Sequence, residues 1–526
     1  MIRTALVLFF ASNLWSNAVN AQIGSRYNVE DFAATITVQD LQMYLSVLAS
    51  DALEGRETGT PGNDEAARFI AAQLSGFGIP PLTPEGSYFQ DVTFTRTEWK
   101  DISLKIGDTT YLHMKDFICM KSMRNEHPVT IGEEMVFLGY GIDDPAYSDY
   151  TVNVKGKAIL IYDGEPVSKR GKYRLTSSKI PSEWSGNWLK KIRIAREKGA
   201  TAVFVISSDF QRLAGQIRRF SIGPSITLGD PDTATWPAVA IVSSDVARHI
   251  IQTKYDQVIS ARDRINKGKK ANPVPLYAPF TLIAELNEKV TTGYNVLGYI
   301  EGSDPLLRDE LIVMSAHFDH LGKRGDDIYN GADDNGSGTS TLLDVTQAFM
   351  LAKNKGMGPR RSVLALFVTG EEKGLLGSKF YVENPVFPLD QTVANVNMDM
   401  VGRVDKKYGN DPDYIYVIGS DKLSQDLHEI NESINARYTK LKLDYTYNDE
   451  KDPNRYYYRS DHYNFVEQGI PAIFYFSGTH EDYHRPSDTI DKINFERMAK
   501  VGRLIFHTTW ELANRDARIR LNAVKG

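Results

Sequence analysis

Cysteine is nearly missing: Cys119 is the only one in 526 residues. No intramolecular disulfide can form, and a lone thiol is a small buried hydrophobe before it is a nucleophile. Stability must come from packing or bound ions. Beyond the leader, no run approaches the roughly 20 apolar residues that a bilayer demands, which argues against a membrane anchor. Excess positive charge is also lacking, since the net charge is −6, and this removes the electrostatic case for nucleic acid. Repeats and low-complexity tracts are absent, which excludes solenoid architectures. What remains is an ordinary globular composition, 42% hydrophobic and 24% charged, in a chain too long for one core.

Met1-Ile-Arg3 precedes an apolar run over residues 4–15, and Val19-Asn-Ala21 offers small residues for cleavage. This predicts a secretory signal peptide over 1–21, cleaved after Ala21 and too short to span a membrane. No cysteine lies near the cleavage site to take a lipid. The expectation is an exported protein, periplasmic or extracellular. Residues 38–48 and 63–74 read as amphipathic helices, joined by the turn-rich Glu54-Gly-Arg-Glu-Thr-Gly-Thr-Pro-Gly62, a loop leading into a helix. Between 125 and 275 short strand-like runs dominate (135–138, 157–162, 201–206 and 238–242), with one helix over 188–198 and a basic, solvated linker over 262–270. That texture predicts a separate unit inserted between a first part, 22–124, and a main part, 276–526. In the main part apolar strands alternate with helices, implying an α/β fold with a mixed sheet covered on both faces.

The chemistry-bearing residues follow strands. Leu311-Ile-Val-Met314 runs into Ser315-Ala-His-Phe-Asp-His320, and Asn330-Gly-Ala-Asp-Asp-Asn-Gly-Ser-Gly338 precedes a helix. Strand 362–368 runs into Thr369-Gly-Glu-Glu372, strand 394–398 into Asp399, and strand 471–476 into Thr479-His-Glu-Asp-Tyr-His484, with Ser460-Asp-His462 shortly before it. Each fragment alone is ordinary: a Glu-Glu pair is usually surface, an Asp at a strand end usually a cap. Jointly they deliver ligand-type residues to one edge of one sheet, where open α/β folds keep their sites. Imidazoles and carboxylates without thiolate suit zinc. Several carboxylates crowded together need more positive charge than one ion supplies, which predicts two Zn2+ per chain.

His317-Phe-Asp319, Asp334-Asn-Gly-Ser-Gly338, Glu371-Glu372, Asp399 and Tyr483-His484 resemble the motif set of the co-catalytic di-zinc exopeptidases, the superfamily of bacterial leucyl aminopeptidases, glutamate carboxypeptidase II and the transferrin receptor. Leu53-Glu-Gly-Arg-Glu-Thr-Gly59 is similar to the family's N-terminal part. Gly139-Tyr-Gly-Ile142 and Val154-Lys-Gly-Lys157 resemble a protease-associated domain. The resemblance implies a three-layer αβα zinc-exopeptidase fold of phosphorylase/hydrolase-like type, with an inserted β-rich protease-associated domain. It implies that Asp334 bridges two ions, one also held by His317 and Asp399, the other by Glu372 and His484. Glu371 would be the general base, Asp319 would orient His317, and Tyr483 would donate to the oxyanion. His320 is the second choice for His317 and reads as structural; the Ser-Asp-His run reads as supporting. The implied reaction is hydrolysis of N-terminal residues from a peptide substrate by metal-activated water.

Other outcomes of the same motifs are a carboxypeptidase or dipeptidase of the glutamate carboxypeptidase type, a glutaminyl-cyclase-like acyltransferase, or a non-catalytic binding protein. A carboxypeptidase needs a cation for the terminal carboxylate; Arg455 and Arg459 could serve, or simply pack on the tyrosines between them.

Overall fold

The computed structural model describes residues 27–82, 86–231 and 234–523. The leader read at 1–21 lies outside the described residues. The chain forms two compact units, one made of residues 1–94 and 291–526, the other of 95–290. The insert read at 125–275 falls within the second, which is longer at both ends because the strands Phe89–Ile106 and Val274–Ile300 carry the chain through the boundaries.

In the first unit the main sheet is built on β1 (Val274–Ile300, of which Val296–Ile300 pairs here), β2 (Leu311–His317), β3 (Ser362–Val368), β4 (Thr392–Asp399), β5 (Tyr414–Ile418), β6 (Lys442–Asp444) and β7 (Ala472–Phe476). They order as β6-β5-β7-β4-β2-β3-β1. The four central strands β7, β4, β2 and β3 are parallel; β1 and β5 run antiparallel to their inner neighbours. β2 and β3 are buried at every position, which is why they read as continuous apolar runs.

Alternation distributes the side chains between two layers. Ile312, Met314, Ala316, Val363, Ala365 and Phe367 pack with helices α1 (Val38–Leu48), α2 (Pro61–Gly76), α3 (Gly338–Asn354) and α5 (Phe495–Asn514). Leu311, Val313, Leu364, Leu366 and Val368 face the opposite way, toward Tyr381 and Val382 of α4 (Leu376–Glu383) and Phe465. After β2 the chain goes to β3 on one side, then crosses to β4 on the other. The switch point therefore falls at the carboxyl end of β2, where His317 stands.

The second unit is less β-dominated than its sequence suggests. Val129–Gly139, Ala158–Tyr162, Ala202–Ile206 and Ala238–Val242 form a parallel set. Helices Trp188–Glu197, Phe210–Ile222, Ser244–Ile251 and Tyr255–Asn266 accompany it. The last overturns the linker reading for residues 262–266, because Val258, Ala261 and Ile265 make a buried stripe beneath a charged face, while 267–270 are exposed and non-helical as expected of a solvated linker. Cys119 is buried in this unit, as expected of a hydrophobe.

Asp344, in the middle of α3, is 1% exposed and accepts the Thr37 N–H. Burial, reinforced by Asp40, pushes its carboxyl up to about 8. The folded chain thus keeps a proton that the unfolded chain releases near pH 4. The stability this group contributes is complete below that pH and is lost as pH rises through 8. Asp344→Asn, which keeps the acceptor for Thr37, should be stabilising by about 1–2 kcal/mol at pH 8.5 and near neutral at pH 4, read by denaturant unfolding at the two pH values.

Candidate metal centre

His317 closes β2. Its Nδ1 lies 3.1 Å from the main-chain carbonyl of Asp319, a pure acceptor, so Nδ1 carries the proton and Nε2 presents its lone pair. That lone pair faces Asp399 Oδ1 at 3.4 Å, Asp334 Oδ1 at 3.6 Å and Glu371 Oε2 at 3.9 Å. The other oxygen of Asp334 faces a second set. His484 Nε2 lies 3.1 Å from Asp334 Oδ2 and 3.1 Å from Glu372 Oε1. His320 Nδ1 lies 2.9 Å from Glu372 Oε1 and 3.8 Å from Asp334 Oδ2. Two donor groups thus stand side by side, with one carboxylate oxygen of Asp334 turned to each. All five residues read as ligands from the sequence converge, although they come from four different strand ends.

The loop that delivers Asp334 is held by its backbone. Asp488 accepts the N–H groups of Asp333 and Asp334, and Asn335 ties to the Met398 carbonyl and the Met400 N–H. Gly331 at the loop's start has φ +56°, and a Cβ there would meet the Asp334 carbonyl at 2.2 Å and the His320 ring at 2.5 Å. Only glycine fits. Asp399 keeps one oxygen for the site because its other accepts the Ser460 hydroxyl at 2.8 Å, at the end of a buried chain through Asn397 and Ser315. Ser460 therefore supports, as its motif suggests, while His462 stacks on Phe474.

Asp319 departs from the expected role. Its carboxylate is 3.7 Å from His317 Nδ1 and is occupied otherwise, accepting the N–H groups of Glu371 (3.1 Å) and Glu372 (3.4 Å) and the Thr58 hydroxyl (2.8 Å). Its main chain orients His317; its side chain orients the Glu-Glu turn.

His320, the second choice for His317 and read as structural, is fully buried beside Glu372. One contributor escaped the sequence reading. Arg56, in the loop taken as a plain connection, is fully buried. It donates to the carbonyls of Phe318 (2.7 Å), Asn330 (2.6 Å), Gly331 (3.0 Å) and Leu48. It pins both loops that present the histidines and Asp334. Burial pulls its guanidinium down to about 10, against the raising effect of Asp319.

The neighbouring glutamates sit in opposite fields. Burial pushes the Glu371 carboxyl well up, and Asp399 and Glu372 add to this against the opposing pull of His317. Glu372 is also buried, but hydrogen bonding to His320 and His484 holds it well below the ordinary range. Such a split is how paired carboxylates acquire different tasks. Tyr483 stacks on His484 with centroids 3.9 Å apart; burial and then Asp334 and Glu372 keep its phenol protonated, hence a donor.

The donor set fits divalent ions. His317 Nε2 and Asp399 Oδ1 are buried and lack any hydrogen-bond partner among the described residues. Buried polar atoms are rarely left so. The convergence of His317-Glu371-Asp399 and of His320-Asp334-Glu372 supplies what two cations need. Glu371 thus stands within the first group as well.

Residues 295–509 match the family model of Peptidase family M28. The matched segment contains every candidate metal ligand named above. A probable leucine aminopeptidase of Trichophyton verrucosum is 30% identical over 211 residues, 39% of this chain and 55% of that relative. The probable glutamate carboxypeptidase AMP1 of Arabidopsis thaliana is 26% identical over 294 residues, 50% of this chain and 37% of its own. The chain thus spans about half the length, or less, of these curated relatives. Among solved structures, an aminopeptidase from Aneurinibacillus sp. strain AM-1 superposes with a TM-score of 0.54 over 95% of this chain and 99% of its own, at 18% identity. That likeness speaks for the fold.

Arg56→Met should leave four carbonyls without a donor. The expected outcome is a lower Tm and, in the folded fraction, a 10–100-fold weaker zinc affinity by competition with a chelator.

Proposed function

We propose that the protein is a zinc-dependent exopeptidase, acting as an aminopeptidase that hydrolyses N-terminal residues from peptides. The observation that carries this reading is Asp334, whose two oxygens face two separate imidazole–carboxylate groups. The M28 match over 295–509 and the relatives named as aminopeptidases support it. In this reading the ligands are His317, Asp334, Glu372, Asp399 and His484, with His320 as a further donor beside Glu372. Bound divalent ions supply Lewis-acid polarisation of the carbonyl and activation of water.

Glu371 takes the proton of the attacking water on its carboxylate and returns it to the leaving amine. Asp319 holds Glu371 in place through the Glu371 N–H. Tyr483 donates its hydroxyl proton to the developing oxyanion. Asp399 and Glu371 border the recess in which the free amine would sit. The second unit corresponds in this reading to a protease-associated domain, and the leader at 1–21 supports export.

Two zinc ions per chain are expected by elemental analysis, and chelation should abolish turnover until zinc is restored. Glu371→Gln should lower kcat about 10²–10⁴-fold with zinc content near two, whereas Asp334→Asn should lose metal. Full zinc occupancy in Asp334→Asn would contradict the shared role. Aminopeptidase polarity requires that N-acetylated peptides resist while C-terminally blocked ones are cleaved; the reverse pattern would assign a carboxypeptidase.

A further inference from the structure

We infer that Arg459 reads the free α-carboxylate of a short substrate, so that unblocked dipeptides are the favoured substrates; this rests on the aminopeptidase reading above. The recess beside Glu371 and Asp399 has an apolar floor that includes Phe474 and Phe476, and a wall that includes Tyr483 and Arg459. The Arg459 guanidinium lies over the Tyr456 ring at 5.0 Å, and its Nη2 donates to the Tyr483 hydroxyl oxygen at 3.3 Å. Its Nη1 reaches the Asn454 carbonyl at 3.5 Å, the limit of a hydrogen bond. No carboxylate among the described residues pairs with it, whereas Arg403, on the neighbouring loop, is paired with Asp482. Arg455, from the same run, lies over Tyr458 and lines a different recess. Arg459 is therefore the member of that run that meets the substrate.

The spacing decides what it would meet. If Tyr483 contacts the oxygen of the scissile carbonyl, the next carbonyl group of the substrate lies one residue along, and successive α-carbons are 3.8 Å apart. A guanidinium within hydrogen-bond reach of the Tyr483 hydroxyl stands where that next group falls. In a dipeptide the group is a carboxylate, which a planar guanidinium can grip with two parallel bonds. In a longer peptide or an amide it is a neutral carbonyl, and the charge-assisted part of the bond is lost. The donation from Nη2 to the Tyr483 oxygen leaves the phenolic proton free, so one side chain can both aim Tyr483 and hold the substrate's end.

The test is the ratio of kcat/KM for Leu-Leu to that for Leu-Leu amide, with leucyl-p-nitroanilide as a substrate that has no carboxylate. The wild type should favour the free acid about tenfold or more. Arg459→Met should bring the ratio to about one, and Arg459→Lys should give an intermediate value, keeping the charge without the fork. Both substrates are measured on one preparation, so losses in folding or metal content cancel from the ratio. A wild-type ratio near one, with anilide and both dipeptide forms cleaved, overturns the carboxylate role and leaves the aminopeptidase reading standing. So does an undiminished ratio in Arg459→Met or, should that variant be inactive, in Arg459→Lys. A zinc-loaded wild type that cleaves none of the three overturns the underlying reading.

Discussion

Crowded, buried negative charge is the constraint on which this structure depends. Asp334, Glu371, Glu372 and Asp399 converge within a few ångströms of three imidazoles, in a place largely shut off from water. Like charges so placed repel strongly unless something positive answers them. The protein's own answer is partial. Main-chain N–H groups go to Asp319 and Asp488, which lie just behind, and hydroxyls go to Asp319 and Asp399. His317 Nε2 and Asp399 Oδ1 stay without a hydrogen-bond partner among the described residues. This is an arrangement that asks for cations.

The sheet makes that convergence inexpensive in geometry. Parallel strands end at the same edge, so residues after β2, β3, β4 and β7 arrive together although they are far apart in the chain. The switch in direction around β2 opens the crevice at that edge. Rigid strands fix the depth of each donor, and the loops need only fix its aim.

Much of this was legible in the residues. β3 falls at the bounds the apolar pattern indicates, because a buried parallel strand is a continuous hydrophobic run. His317, Asp334, Glu372, Asp399 and His484 were legible because ligand-type side chains recur after successive strands. Arg56 was not, since an arginine in a glycine-rich loop normally points to water and no local pattern announces four carbonyls waiting for it. The role of the Asp319 side chain also depends on tertiary contact, with Thr58 and the Glu-Glu turn. Helix Tyr255–Asn266 escaped because its charged face masks a three-residue apolar stripe.

Arg56 and Thr58 have a bearing on biogenesis. They meet Phe318 and Asp319 across 262 and 261 positions of sequence. As the ribosome releases the polypeptide, these two residues emerge early, whereas Phe318 and Asp319 follow only when well over half of the protein has been made. Closing so long a loop is slow relative to local structure formation. The candidate metal centre is therefore among the last parts to assemble, and an incompletely translated product carries an N-terminal arm without the strand it packs on.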